Sequence, residues 1–385
     1  MRRLLRPALA LGVLAVLTRV DPVLGVVVLL AGWAWTSWWL PPRRLAGLSG
    51  DRRVPERAMF GDAVPVELVL DSTRSVPWIS VFDMVPFDLG PSTRWVTTAV
   101  AGGSSRFHRQ VVAARRGLHR IGPAIVSTGD LFGLRTVQQA LVPSSDLLVY
   151  PRIVPLKTLE LAAGAPLPFV PTTVPLQSDP TRIVGVREYE PGDPMRTIHW
   201  TASAAAGSLL VKKHRPATSR DVLLTVDLSR SSHPSPGRNR SVELAIAAAA
   251  SIAHHLVTVR RESVGLRLYG RDTPSGSTSV VEVTPGRDEV RLGRMLEHLA
   301  RTGMCGSSDG GAVLDVGGLP YGASVVLFTG QTDREHVRRI LRLLRAGVVV
   351  DVVVTARQRS EWDTELEGFG VAVRSLARLG DLVSM

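Results

Sequence analysis

Residues 185–200 read GVREYEPGDPMRTIHW, and no other stretch of the chain gathers so many conformationally special residues. Pro191 and Gly192 suit the two central positions of a type II turn, because proline presets φ and glycine accepts positive φ. Asp193 stands before Pro194 and is therefore biased toward extended backbone. An Asp-Pro pair also starts helices well, with Asp as N-cap and Pro in the first helical position. The spacing predicts a short helix from Pro194 to Ala206 that stops at Gly207. A strand through Leu209, Leu210 and Val211 follows, running into Lys212 and Lys213.

This stretch resembles the signature of a bacterial family called domain of unknown function fifty-eight. The resemblance is carried by Gly185, Arg187, Tyr189, the Pro191-Gly192-Asp193 turn, Arg196, Ile198 and Trp200. It continues through Ala202-Ser203, Gly207, Leu210-Val211-Lys212 and Asp227-Leu228-Ser229. Upstream, Arg116-Gly117-Leu118-His119, Gly122-Pro123 and Asp130-Leu131-Phe132-Gly133-Leu134 match earlier landmarks of the same family. The chain departs from the pattern at Thr201 and Ala206, where the family usually has a Lys and an Arg. The resemblance implies partnership with a MoxR-type AAA+ ATPase, since family members are commonly encoded beside one. Arg187, Tyr189, Asp193, Arg196 and Trp200 are the candidate binding residues. Two roles stand open for them. Arg187 and Arg196, with Glu188, Glu190 and Asp193 as ion partners and Tyr189 and Trp200 as packed anchors, order a domain junction; or the same residues form a partner surface.

Outward from the signature, the expected architecture is multidomain. A transmembrane helical hairpin (1–42), an all-β sandwich (43–155) and a proline-rich linker (156–184) lead into the signature segment (185–220). An α/β, Rossmann-like domain of the von Willebrand factor A type (221–385) closes the chain. Residues 23–40 are uncharged and mostly apolar, long enough to span a bilayer, with Trp33, Trp35, Trp38 and Trp39 toward one end. Residues 4–20 form a weaker span that needs Arg6 and Arg19 to snorkel at opposite faces; basic residues before a short apolar run also fit a cleaved signal peptide, the alternative reading. Basic residues flank the hairpin on both sides, so the positive-inside rule places everything from Pro41 onward in the cytoplasm of a cell-membrane protein. Residues 64–70 (VPVELVL) alternate, and 78–85 and 107–113 are further strands bounded by turn residues. Beyond 221, strand and helix patterns alternate, which implies a mostly parallel sheet covered on both faces.

The 46 Lys and Arg outnumber the 34 Asp and Glu, but only Lys157, Lys212 and Lys213 are lysine and the arginines are scattered. That pattern lacks the aromatic-interleaved basic run of a nucleic-acid binder. A single cysteine, Cys305, excludes an intramolecular disulfide.

Asp227-Leu228-Ser229-Arg230-Ser231 ends the first strand of the α/β region, the edge at which open α/β sheets bind ligands. Its Asp-x-Ser-x-Ser spacing resembles the metal-adhesion loop of von Willebrand factor A domains. One carboxylate and two hydroxyls on a tight loop suit Mg²⁺, so Asp227, Ser229 and Ser231 are candidate ligands of a weak and incomplete site. The acid such domains add after their fourth strand is missing, because Thr329-Gly330 stands there and the next acid is Asp333. Capping of the following segment is the alternative role for Asp227 and Ser229. Gly306-Ser307-Ser308-Asp309-Gly310 fits Gly-x-Ser-x-Gly, which would make Ser308 the nucleophile of a serine hydrolase if a strand and a helix flanked it. A helix pattern precedes it instead. The leading expectation is a membrane-anchored adaptor acting by protein–protein interaction, not an enzyme.

Overall fold

A computed structural model describes residues 22–130, 135–157, 178–190, 193, 195–216, 221–233, 238–306, 310–315, 317, 319, 323–355 and 360–383. The chain divides into two compact units, the first ending at Val149 and the second beginning at Tyr150.

In the first unit, helix α1 (Pro22–Leu45) covers the stronger of the two expected spans. The weaker span, residues 4–20, lies outside the described residues. Val26, Val28, Leu29, Leu30, Trp35, Trp38 and Trp39 are exposed along α1, while Leu45 at its end is buried in the core of the β domain. The strands are β1 (Leu48–Arg53), β2 (Arg57–Ala58), β3 (Ala63–Ser72), β4 (Val76–Asp83), β5 (Thr93–Ala99), β6 (Gly103–Val112), β7 (Gly117–Ile121), β8 (Ala124–Gly129), β9 (Thr136–Val142) and β10 (Ser145–Val149). They form three sheets, ordered β1-β3-β6, β2-β10-β7 and β5-β4-β8-β9. The alternation in VPVELVL is real: Val64, Val66, Leu68 and Leu70 are buried, and the residues between them are not. Arg52 on β1 joins the sheets. It pairs with fully buried Asp83 on β4 and donates to the carbonyls of Ile121 (2.9 Å) and Pro143 (2.6 Å). Its guanidinium packs onto Gly122, at φ +102°, where any side chain would collide. The Gly-Pro landmark therefore has a structural reason.

The second unit opens with residues that pack on the α/β core. Tyr150, Ile153 and Leu156 lie against it, and Val154 N–H donates to Ser251 Oγ (2.9 Å). The expected linker is thus ordered at both ends: β11 (Ser178–Glu188) begins inside it, while 158–177 lie outside the described residues. After β11 come α2 (Trp200–Ala206), β12 (Leu210–Pro216), β13 (Val222–Asp227) and α3 (Arg238–His254), which ends in a wider turn (His255–Val259). Then follow β14 (Val264–Asp272), β15 (Thr278–Gly286), α4 (Glu289–Arg301), β16 (Thr302–Gly303), β17 (Ser324–Thr329), α5 (Arg334–Arg345), β18 (Val349–Val354), α6 (Glu361–Gly368) and β19 (Ala372–Ser375).

The main sheet runs β15-β14-β13-β17-β18-β19, parallel except for β15, with β16 on the edge of β14. β13 is buried at all six positions, as a strand covered on both faces must be. Its alternate residues serve different cores. Leu224 and Val226 pack with α3 and α4, whereas Leu223 packs with residues of α5 and α6. The alanines of α3 (Ala245, Ala248, Ala249, Ala250, Ala253) are fully buried, so their small side chains let the helix lie close on the sheet. The segment Asn239–Val259 is long and apolar enough to cross a membrane, but it is mostly buried and is a core helix.

Candidate functional site

Two places carry the sequence-derived candidates. The first is the signature module. β11 and β12 pair antiparallel, with Arg187 opposite Val211. Arg187 holds Asp193 through two parallel bonds, Nη1 to Oδ2 (2.7 Å) and Nη2 to Oδ1 (2.6 Å). The same carboxylate accepts from Glu190 N–H (3.1 Å). The bond from Arg187, joined by that backbone bond, holds the Asp193 carboxyl below its ordinary value. Pro191, Gly192 and Pro194 lie outside the described residues, and with them the turn expected at Pro191-Gly192.

The helix expected from Pro194 starts later. Met195–Thr197 make a single 3-10 turn, Ile198 bridges to Val211, and His199 N–H donates to Leu210 C=O (2.8 Å). That tie to β12 holds the chain extended until Trp200. His199, not Asp193, caps α2: its Nδ1 accepts from Ala202 N–H (3.2 Å). The helix ends at Gly207 in the left-handed region, as its sequence predicts. Ser203, which is buried, ties the helix to β12 by accepting from Leu210 N–H (2.9 Å). Trp200 is 63 % exposed, so the packed anchor expected there is corrected. Position N1 turns its ring away while Ile198 fills the interior. Arg196 is exposed too, and Met195, Val186 and Leu209 add exposed apolar surface to the module.

The second place is the carboxyl edge of the main sheet, where β13 and its neighbour β17 lead their chains to opposite sides. Ligands of open α/β sheets bind at such switch points. Asp227 ends β13 and is fully buried. Its Oδ1 accepts from Ser229 N–H (2.8 Å), and its Oδ2 from Ser229 Oγ (3.1 Å). Ser229 Oγ also lies 2.9 Å from Ser232 Oγ and 3.1 Å from Ser231 Oγ. Ser231 is exposed, whereas Ser232 is buried. The loop is sewn to Cys305: Cys305 N–H donates to Leu228 C=O (3.1 Å) and Arg230 N–H to Cys305 C=O (3.0 Å). Buried His233 lies 2.8 Å from both Asp227 C=O and Ser241 Oγ, and Ser241 Oγ continues to Thr355 Oγ1 (2.8 Å).

His336, in the first turn of α5, enters the same edge and is fully buried. Its Nε2 lies 3.3 Å from Asp227 Oδ2, an ion pair in distance though poorly aligned for a hydrogen bond. Its Nδ1 lies 2.8 Å from Oδ1 of Asp333, the N-cap of α5, whose side chain is 44 % exposed. Burial alone would lower the pKa of His336; the two carboxylates outweigh it and raise it to about 9. The bond to His336 lowers Asp333 to about 2. Burial works to raise Asp227, but His336 and the loop's donors hold it below its ordinary value.

This arrangement does not fit a resident Mg²⁺ on Asp227, Ser229 and Ser231. Both carboxylate oxygens are engaged by the loop itself, and Mg²⁺ demands octahedral donors at about 2.0–2.1 Å with several waters. The backbone of Gly310 lies directly over the carboxylate and Ser229 Oγ, and a side chain there would collide with both. Gly330 allows no acid either, because a Cβ would strike Ser232 C=O and the His233 ring. Among the described residues no group of three or more His, Cys, Asp and Glu is placed to hold a metal. Ser307, Ser308 and Asp309 lie outside the described residues. Ser232, His233 and His336 were missed in the sequence; the one available signal was the Asp333-x-x-His336 spacing of an N-cap and its third helical residue.

Residues 185–353 match the family model described as "Protein of unknown function DUF58", which supports the resemblance carried by the signature. No curated protein matches the chain. Among solved structures, a CARDB domain from Pyrococcus furiosus is 12 % identical at a TM-score of 0.21, covering 26 % of this chain and 86 % of its own. A β-glucosidase from Listeria innocua is 13 % identical at 0.19, covering 26 % and 16 %. The pilus adhesin of Streptococcus pneumoniae is 11 % identical at 0.18, covering 80 % and 42 %. Likenesses this weak carry no argument about fold or activity.

Proposed function

We propose that this chain is a membrane-anchored cytoplasmic adaptor that works by binding another protein, a MoxR-type AAA+ ATPase, through its signature module. The observation that carries the reading is the exposure of Trp200 (63 %) and Met195 (69 %) beside the paired strands β11 and β12. Large exposed apolar side chains, with Arg187, Arg196 and Lys212 nearby in the chain, are what a docking surface needs. The exposed apolar side chains of α1 support membrane insertion in the same way. Arg43 over the Trp39 ring (3.4 Å) and Arg135 over Trp38 (3.9 Å) give that helix an interfacial end. The strand order of the α/β unit, with its third strand antiparallel, supports the von Willebrand A-like reading, a fold suited to adaptor work.

The test is site-specific photo-crosslinking from Met195 in intact membranes. A crosslink to a MoxR-type ATPase is the expected result; crosslinks confined to other proteins would refute that partner. Labelling of Ser308 by serine-reactive probes would favour hydrolase chemistry instead.

A further inference from the structure

At the carboxyl edge of the main sheet, two carboxylates, Asp227 and Asp333, face one enclosed position, and Ser229 and Ser232 place hydroxyls beside the first of them. Hard oxygen donors of this kind, closing on one point, are what a divalent cation attracts. The point is not open. The imidazole of His336 fills it, with Nε2 toward Asp227 (3.3 Å) and Nδ1 toward Asp333 (2.8 Å). Both ring nitrogens face carboxylate oxygens, Nδ1 bonded to Asp333 and Nε2 at ion-pair distance from Asp227, where a metal would offer coordination bonds. Gly310 lies against the Asp227 carboxylate and Ser229 Oγ, where a side chain would collide with both.

We propose that His336 stands in the place of a divalent cation, so that the Asp-x-Ser-x-Ser loop is complete without metal. The three parts support one another. The missing acid at Gly330 has no room beside Ser232 and His233. Asp333 supplies the second carboxylate from the helix cap instead, and that same cap places His336 three residues on, in reach of Asp227. A side chain delivered by α5 thereby ties the end of β13 to the helix cap that follows its parallel neighbour β17. The inference goes beyond the adaptor reading and stands without it.

The experiment uses the full chain in detergent micelles, stripped with EDTA. Mn²⁺ binding is read by the electron paramagnetic resonance of the free ion, and thermal unfolding is followed with and without Mg²⁺. For the wild type, no Mn²⁺ is taken up to about 1 mM and the melting temperature is the same in EDTA and in Mg²⁺, since a ligand that does not bind the native state cannot stabilise it. His336→Ala vacates the point and is expected to melt lower, and to regain stability with Mn²⁺ or Mg²⁺. That metal response should vanish in His336→Ala combined with Asp227→Asn. Should His336→Ala fail to fold, His336→Gln keeps the volume without the charge, and it should melt below the wild type whether or not metal is present. Asp227-dependent metal binding or stabilisation in the wild type would overturn the proposal, as would a His336→Gln chain that melts like the wild type.

Discussion

Replacing Asp227 by alanine removes the group on which the switch-point edge is built, and the structure sets the size of the effect. The carboxylate is fully buried, accepts from Ser229 N–H (2.8 Å) and Ser229 Oγ (3.1 Å), and lies 3.3 Å from His336 Nε2. Two unit charges at 3.3 Å attract by about 5 kcal/mol at the effective dielectric of about 20 that suits protein sites. Asp333 stays on the other ring nitrogen, so His336 keeps one counter-ion and the loss sits at the low end of the range for breaking a buried pair, about 3 kcal/mol. The orphaned Ser229 N–H falls within that figure. For a unit of this size about 3 kcal/mol lowers the melting temperature by about 6–12 °C. Differential scanning calorimetry of the full chain in micelles measures it, with His336→Gln and the double variant completing a cycle. A coupling of about 1–3 kcal/mol between the two positions is expected for groups in direct contact. An Asp227→Ala chain that melts within about 1 °C of the wild type would refute the reasoning, because a buried, fully engaged carboxylate cannot be removed at so small a cost.

Four further outcomes follow from the same geometry. His336 has a native pKa of about 9 against an ordinary 6.5, so its contribution is complete below pH 6.5 and is lost as pH rises through 9; the melting temperature of the α/β unit should fall across that window and the fall should flatten in His336→Gln. Trp200→Ala, at an exposed position, should change stability by less than about 1 kcal/mol while weakening partner binding at least about tenfold, a hot-spot-sized loss. Gly330→Asp should destabilise by about 1–3 kcal/mol through collision with Ser232 and His233 and should create no Mg²⁺ affinity, which melting with and without Mg²⁺ will show. A reporter active only outside the cytoplasm, fused after Met385, should be silent if basic flanks orient the membrane segment.

Much of the fold was legible because its signals are local. The alternation of Val64, Val66, Leu68 and Leu70 and the continuous apolar run of β13 are set by period and burial. Asp288 and Asp333 cap α4 and α5 at the places their sequence suggests. Helix α6 leaves little mark on the sequence, since its eight residues bury only Asp363 and Leu366, too few for a periodic pattern, and only its capping box at Ser360 and Asp363 announces it. The start of α2 was misplaced because a non-local tie, Ile198 to Val211, overrides the local Asp-Pro signal.

The candidate site divides the same way. Asp227, Ser229 and the edge they stand on were readable from strand position and spacing. That His336 reaches them from more than a hundred residues away depends on which helix follows β17, and no spacing within the loop encodes it. Trp200 reads as an anchor by residue type, but its position at the start of a helix pinned through Ile198 and Ser203 turns it outward.

The adaptor reading is tested most directly by the affinity of the full-length chain, in micelles, for a purified MoxR-type AAA+ ATPase from the same cell, measured by biolayer interferometry for the wild type and for Trp200→Ala. Specific binding by the wild type and a loss of about tenfold or more in the variant is predicted, the cost of removing an aromatic hot spot from a docking surface. No binding by the wild type, or equal binding by a Trp200→Ala chain, would contradict it.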